Sequence, residues 1–263
     1  MILHSCFSKK STWLIGLLLL SLKTFSQFSI DAEIGAFQVN RNDASSSWKN
    51  SSGELNGLNG TLFSYAKDFN NPVKPLARLR CSYSFGKQHK HFISILAAPL
   101  SYTTVGTFNK DVVFNSTLFQ SHKQTTGYYK FSGYRLTYRY YIIQKERLKL
   151  GIGLTLNLRD AEFSLKQDDK YERNYNRGFV PLVNTFLSYK FSERFGMLID
   201  GDVFYIDNTG GAIDYLTAGT FTINKKIYLK AGYRFFSGVG SEVGNVYNKL
   251  FVSSYVLGAF IQF

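Results

Sequence analysis

The chain has 263 residues, of which 44% are hydrophobic and 17% aromatic, with only four prolines and a formal net charge of +13. Its length suits one barrel or one to two soluble domains. The basic balance admits nucleic acid, an anionic membrane surface or anionic solutes as partners, but no basic run with interleaved aromatics and no zinc-ligand spacing supports nucleic acid.

At the N-terminus Lys9 and Lys10 precede an apolar run from Trp13 to Leu22, and Thr24 and Ser26 are small enough to permit cleavage before Gln27. A basic segment, a short apolar segment and small residues at a cut site predict a secretory signal peptide over 1–26. The run is too short to cross a bilayer comfortably as a helix. Cys6 lies before the run, where no lipoprotein cysteine would stand. Cys81 is then alone in the mature chain, so no intramolecular disulfide is possible, and it reads as a small apolar residue. The remaining residues, 27–263, are expected to form a single exported domain that uses the Sec pathway.

That domain begins with alternation. Phe28, Ile30, Ala32, Ile34 and Ala36 oppose Ser29, Asp31, Glu33 and Gly35, which predicts a first strand over about 27–38. A polar segment follows over roughly 39–76, inside which TLFSYAKDF reads as a short extra strand or helix. The second strand, about 77–86, sets Leu79, Cys81, Tyr83 and Phe85 against Arg78, Arg80, Ser82 and Ser84. GKQHK makes a tight turn. The third strand, about 91–102, is apolar on both faces, and Pro99 weakens it as a central strand unless it lies at a rim.

A second polar segment covers about 103–126. In the fourth strand, about 127–142, Tyr134, Leu136, Tyr138, Tyr140 and Ile142 face away from Arg135, Thr137 and Arg139. The fifth, about 146–165, alternates Leu148 through Leu158 with Lys149, Gly151, Gly153, Thr155, Asn157 and Arg159. Its parity changes near Asp160–Ala161, which predicts a bulge or a strand that continues beyond a membrane. DDKYERNYNR reads as a loop. Strands six to nine follow over about 178–191, 194–206, 212–224 and 226–237, separated by SER, NTGG and NKK. Asp200 and Asp202 in the seventh, Asp214 in the eighth, and Lys230 and Arg234 in the ninth share the polar parity.

The last strand is FVSSYVLGAFIQF. Phe251, Ser253, Tyr255, Leu257, Ala259, Ile261 and Phe263 alternate with Ser254, Val256, Gly258, Phe260 and Gln262. This segment resembles the closing strand of Gram-negative outer-membrane β-barrels. In that class a terminal Phe, alternate apolar residues and a Tyr eight residues back form a signal for the assembly machinery. Phe263, Ile261, Ala259, Leu257 and Tyr255 match it. The even strand count and the alternation of short turns with longer connections agree with such a barrel. The expectation is therefore an all-β fold, a transmembrane antiparallel up-and-down barrel of about ten strands, with 8–12 allowed. Outer-membrane lipid, lipopolysaccharide and the assembly machinery are the expected partners.

In such a barrel the apolar parity faces lipid and the charged parity faces the lumen. The expected lumen set is Arg78, Arg80, Arg135, Arg139, Lys149, Arg159, Lys230 and Arg234, with Asp200, Asp202 and Asp214. Charges in a narrow, partly dry space must pair or find water. Cations outnumber carboxylates in this set, so its surplus should meet water, loop acids such as Asp168 and Asp169, or a bound anion. A structural network and an anion path are both consistent with it.

Catalytic signals are weak. His89 and His91 flank a turn, and the Ser121–His122 pair lies in a loop. Some outer-membrane barrels are lipid-modifying hydrolases, but their Ser and His need an orienting third group. Asp200 and Asp202 resemble the paired carboxylates of ten-stranded surface proteases. Those enzymes also need a His–Asp pair opposite, and no His falls on the matching strands. Gly238, Gly240 and Gly244 precede a strand, not a helix, and so make no phosphate cradle. No metal, cofactor or catalytic residue is expected. The leading expectation is a non-enzymatic barrel with a structural, adhesive or surface-interaction role. The alternatives are a narrow anion-favouring channel or small-ligand transporter and, behind it, a barrel enzyme acting on lipid or peptide.

Overall fold

Period-two alternation gives each strand two faces of opposite character, and the sheet curls until it closes. The computed structural model describes residues 27–46, 60–206, 210–240 and 246–263; the signal segment 1–26 and residues 47–59, 207–209 and 241–245 lie outside the described residues. The strands are β1 (Phe28–Ser46), β2 (Phe63–Ser64), β3 (Lys74–Phe85), β4 (His91–Ala98), β5 (Ser101–Thr107), β6 (Val112–Phe114), β7 (Thr117–Phe119), β8 (Gln124–Gln144), β9 (Leu148–Gln167), β10 (Lys170–Lys190), β11 (Phe195–Ile206), β12 (Gly210–Thr222), β13 (Ile227–Gly240) and β14 (Val246–Gln262).

Chain neighbours pair antiparallel, and β14 returns to β1 from Ser29 opposite Gln262 to Ser46 opposite Val246. The closure leaves the wall no edge strand at the height of the β1–β14 seam, while toward the loop end Lys170–Leu182 of β10 pairs with β9 alone. β4 and β5 both pair with β8 and form one stave broken at Pro99, which has no N–H for the ladder. At the break the Leu100 N–H turns to the Ser132 hydroxyl at 3.3 Å, and the Phe131 N–H donates to the Leu100 carbonyl at 2.8 Å. With this stave counted once, the barrel has 10 strands.

Both described chain ends meet at one end of the barrel, where the Phe263 N–H donates to the Phe28 carbonyl at 2.9 Å. The short connections after β3, β8, β10 and β12 lie there as well, so this is the turn end; the opposite end is the loop end. Near the turn end, aromatic pairs ring the outside. Phe28 lies 5.7 Å from Phe263, Phe85 stacks on His91 at 5.2 Å, and Phe195 lies 5.3 Å from Phe221.

Above this girdle the outward residues are apolar and open. Ile34, Ile95, Leu154 and Leu257 are each more than 60% exposed. A soluble surface rarely carries so continuous an apolar belt, whereas the hydrocarbon-facing band of a transmembrane barrel requires one. β4, undecided from its sequence, directs Ile93 and Ile95 outward and buries Phe92, Ser94 and Leu96.

The change near Asp160 is not a bulge. β9 pairs with β10 in unbroken register from Leu148–Tyr189 to Gln167–Lys170. What changes is the side on which apolar residues stand. Below Asp160 the leucines face out. Beyond it Phe163 and Leu165 face in and are buried, while Asp160, on the outward parity, pairs with Lys130 and Arg177. The strand has left the belt for water and carries its core inside.

Three segments read as loops are therefore partly sheet. DDKYERNYNR is strand from Lys170 onward, its outward Tyr171, Arg173, Tyr175 and Arg177 exposed to solvent. β1 runs on to Ser46, inside the segment read as 39–76, and β3 begins at Lys74. The 103–126 segment holds the end of β5, the β6–β7 hairpin and the start of β8. Of TLFSYAKDF, only Phe63–Ser64 is strand. Each strand outruns its apolar alternation, because outside lipid neither face need be continuously apolar.

Depth along one outward face is testable. Leu154→Arg places a charge in the belt and is expected to cost about 2–4 kcal/mol. Tyr175→Arg, on the same side but beyond the belt, should cost about 0–1 kcal/mol. Urea titration in lipid vesicles separates the two, and equal costs would contradict the position of the belt.

Candidate functional site

The lumen is filled at mid-height by a lattice of ions contributed by six strands. Its centre is Asp214 on β12, which accepts from Arg78 at 3.1 Å, Arg135 at 2.7 Å and Arg234 at 2.7 Å. Glu33 on β1 takes Arg234 at 2.9 Å and Lys230 at 2.7 Å, with Arg78 at 3.5 Å. Lys230 also reaches Asp31 at 2.7 Å. On β11, Asp202 pairs with Arg135 at 2.8 Å, and Asp200 joins Arg139 at 2.5 Å to Arg80.

Neutral side chains take up remaining donors and acceptors. Asn184 accepts from Arg139 Nε at 2.7 Å and donates to Asp202 at 2.8 Å, and the Thr155 hydroxyl donates to Asp202 at 2.7 Å. The Arg139 guanidinium lies 4.3 Å from the Phe186 ring centre and 4.9 Å from that of Phe92, a cation–π sandwich at 1% exposure. Inward glycines make room for these long stems. A Cβ at Gly151 would lie 2.7 Å from Arg139 Cδ, and one at Gly258 would lie 2.6 Å from Lys230 Cε.

Of the lumen residues named from the sequence, Arg78, Arg80, Arg135, Arg139, Lys230, Arg234, Asp200, Asp202 and Asp214 come together in this lattice. Arg159 does not. It is half-buried on β9 and donates to Asn176 Oδ1, with no carboxylate at ion-pair distance among the described residues. Lys149 stands at the turn-end rim. Asp31 and Glu33 were missed, although they share the parity of Ser29 opposite Ile30 and Ile34. With these two acids in the lattice and Arg159 and Lys149 outside it, six cations meet five carboxylates, and most of the expected surplus disappears. Asp168 plays no part in the lumen and instead pairs with Lys123 at 2.7 Å on the exposed surface.

Above the lattice, toward the loop end, an aromatic cap closes the mouth. Phe63 packs edge-on against Tyr65, Phe108 and Phe114 at 5.3, 5.7 and 5.8 Å. Tyr65 stacks on Phe69 at 5.5 Å and donates its hydroxyl to the Ser164 carbonyl at 2.9 Å. Burial pushes that hydroxyl well above its ordinary pKa. Val112 and Phe119 of the β6–β7 hairpin are fully buried beneath. Nothing in the period-two pattern could reveal the cap, because its residues come from connections between strands.

Below the lattice, toward the turn end, a cavity of about 240 Å³ opens, with Phe92, Phe186, Tyr228 and Phe260 among its walls and Arg80, Arg139 and Asp200 at its inner end.

No hydrogen-bonded Ser–His–carboxylate chain forms among the described residues. His89 lies at the cavity mouth in the β3–β4 turn. His91 is on the outward face, bonded to the Tyr138 hydroxyl at 2.8 Å. Ser121 donates its N–H to Asp111 at 2.8 Å, and its hydrogen bonds hold that exposed carboxylate below the usual range. The His122 imidazole is near enough to act electrostatically on the same carboxylate, but no hydrogen bond joins the two among the described residues. Asp200 is engaged by Arg80 and Arg139, and Asp202 by Arg135, Thr155 and Asn184. No cluster of three or more metal-ligating side chains occurs among the described residues. Gly238 and Gly240 lie in β13, and Gly244 is outside the described residues. Cys81 is a free, half-buried thiol. Tyr255, Leu257, Ala259, Ile261 and Phe263 share the outward parity of the last strand, with Tyr255 and Leu257 fully open.

No protein-family model matches the chain, and no curated protein matches it in sequence. Among solved structures it is similar to the outer-membrane protease OmpT from Escherichia coli, at 8% identity over 90% of this chain and 97% of that one, with a TM-score of 0.54. The fold is that of a Gram-negative outer-membrane β-barrel. The transport unit of the autotransporter AIDA-I from Escherichia coli also matches, at 8% identity over 90% of each chain and a TM-score of 0.46. So does the translocator domain of the autotransporter NalP from Neisseria meningitidis, at 12% identity over 99% of this chain and 100% of that one, with a TM-score of 0.42.

Within this outer-membrane-type barrel, Asp214 is the acid whose loss matters most. Asp214→Asn removes the charge shared by three arginines and is expected to destabilise the barrel by about 3–5 kcal/mol. Asp168→Asn breaks only the exposed pair with Lys123 and should stay within about 1 kcal/mol. Denaturant titration of both variants tests the difference, and equal stability would show that the lattice is not coupled.

Proposed function

We propose that the protein is a non-enzymatic barrel of the Gram-negative outer membrane that works through the surface it presents at its loop end. The carrying observation is that the lumen is obstructed at two heights, by the ion lattice and by the aromatic cap, while β8, β9 and β10 continue past the apolar belt. A barrel closed in this way serves neither as an open path nor as an internal reaction chamber. What it offers is an outer face on which Tyr171, Arg173, Tyr175 and Arg177 alternate, with the Arg177 guanidinium 5.8 Å from the Tyr175 ring centre. Exposed aromatic and arginine side chains suit adhesion or contact with a partner.

In this reading the chain is exported through the Sec pathway, loses residues 1–26 and is folded into the membrane by the assembly machinery through Tyr255, Leu257, Ala259, Ile261 and Phe263. The turn end faces the periplasm. The belt contacts lipid, and the Lys130–Asp160–Arg177 cluster just above it lies at the level of lipopolysaccharide head groups.

Three measurements test this. Fractionation should recover the protein with the outer membrane, as a form that migrates faster on unheated detergent gels than after boiling; recovery as a soluble periplasmic protein would refute it. On intact cells, Tyr175→Cys should react with a membrane-impermeant maleimide, and protection of that thiol would reverse the orientation. In planar bilayers the purified barrel should show no large steady conductance. A stable open pore would favour the channel reading instead.

A further inference from the structure

We infer that the turn-end cavity is a binding site for a small organic anion carrying phosphate or carboxylate groups, entered from the periplasmic side and closed at its inner end. The inference goes beyond the surface role proposed above and rests on different residues.

The cavity combines two features. Its walls are aromatic, with Tyr228 stacked on Phe260 at 4.7 Å and Phe92 and Phe186 on either side of Arg139. Its rim is cationic. Lys149 and Lys190 stand on the inward parity of adjacent strands, where Lys149 lies opposite Ser188. Arg147, Lys225 and Lys226 come from two turns at the same mouth.

The acids nearby do not balance this charge. Asp31 is engaged by Lys230, and Asp200 by Arg139 and Arg80. Glu146 also lines the mouth, but among the described residues no carboxylate lies at ion-pair distance from Lys149 or Lys190. The lattice contrasts sharply with this, since there nearly every cation has its carboxylate. Unpaired positive charge in a concave, partly apolar space concentrates anions. A volume of about 240 Å³ admits one small molecule. The charge selects phosphate or carboxylate, and the ring walls favour a flat or apolar portion beside it. Because the lattice blocks the inner end, the site holds its ligand and does not pass it through.

Phenyl phosphate is a suitable probe. Calorimetry on the purified full-length barrel in zwitterionic detergent at low salt should show saturable binding, tighter than that of inorganic phosphate and weakened by added salt. The double variant Lys149→Gln, Lys190→Gln should lose about tenfold or more in affinity. Lys123→Gln, at the loop end, should change nothing. Heat-dependent gel mobility confirms that the variants are folded. Nanodiscs identify the natural source of the anion. If phosphatidylglycerol discs abolish probe binding that phosphatidylcholine discs retain, the occupant is a lipid head group; if binding survives in both, it is a soluble anion. Absence of saturable binding, or binding unchanged in the double variant, would overturn the inference.

Discussion

The structure depends on the neutralisation of charge in a space too narrow to hydrate it. Side chains can just fill an eight-stranded barrel, and ten strands leave a wider lumen. Long, multi-donor arginines span that extra width where leucines would leave voids. Each brings a charge that must be matched. Asp214 alone holds guanidinium groups from β3, β8 and β13, and Glu33 ties β1 to the same group. Strands that touch only their neighbours around the wall are thereby linked across the centre. Such pairs need not be more stabilising than an apolar filling of equal volume. Their clearer contribution is to register. A slip of one residue in β13 would turn Lys230 and Arg234 into lipid, leaving Asp31 without Lys230 and Glu33 with Arg78 alone.

The same chain meets two solvents, and its parity records the boundary. Within lipid the apolar residues must face out and the polar ones in. In water beyond the membrane the preference reverses, because a barrel extension standing in water needs an internal core. β9 crosses from one regime to the other between Leu158 and Phe163 with its pairing undisturbed. Leucines line its outside below, and Phe163 and Leu165 fill its inside above. The inversion therefore marks the height at which the hydrocarbon ends.

The staves were legible because they obey one local rule. Alternation and turn residues together located the ten staves and the inward parity of nine lattice members, with the orientation of the stave at 91–102 left undecided because both of its faces are apolar. Asp31 and Glu33 were legible too, since they share the polar parity of Ser29 in the first strand. The strand extensions were hidden because tracts such as DDKYERNYNR carry polar residues on both parities, which a loop also does. The cap was not legible at all. Phe63, Tyr65 and Phe69 come from the connection between β1 and β3, and Phe108, Phe114 and Phe119 from that between β5 and β8, and only the closed wall brings the two groups into one cluster. The turn-end cavity is a further example, as its rim joins β9 and β10 to two separate turns.

The two ends of the lumen are finished differently, and that difference limits what the barrel can do. Toward the loop end, hydrophobic burial seals the mouth with rings that exclude water, and the polar groups among them find partners, as Tyr65 does at Ser164. Toward the turn end there is no seal. The aromatic walls end at a rim of lysines and an arginine. A barrel evolved only to be filled would extend its lattice or its cap to both ends. Here the lattice acts as a floor, and the space beneath it keeps Lys149 and Lys190, which have no carboxylate at ion-pair distance among the described residues. Folding explains the paired arginines at mid-height, since none could stay buried alone. It does not require unpaired lysines on inward positions, where neutral side chains would avoid their mutual repulsion. The repulsion among Lys149, Lys190 and their neighbours is a cost with no structural return, and a bound anion is the simplest agent that would remove it.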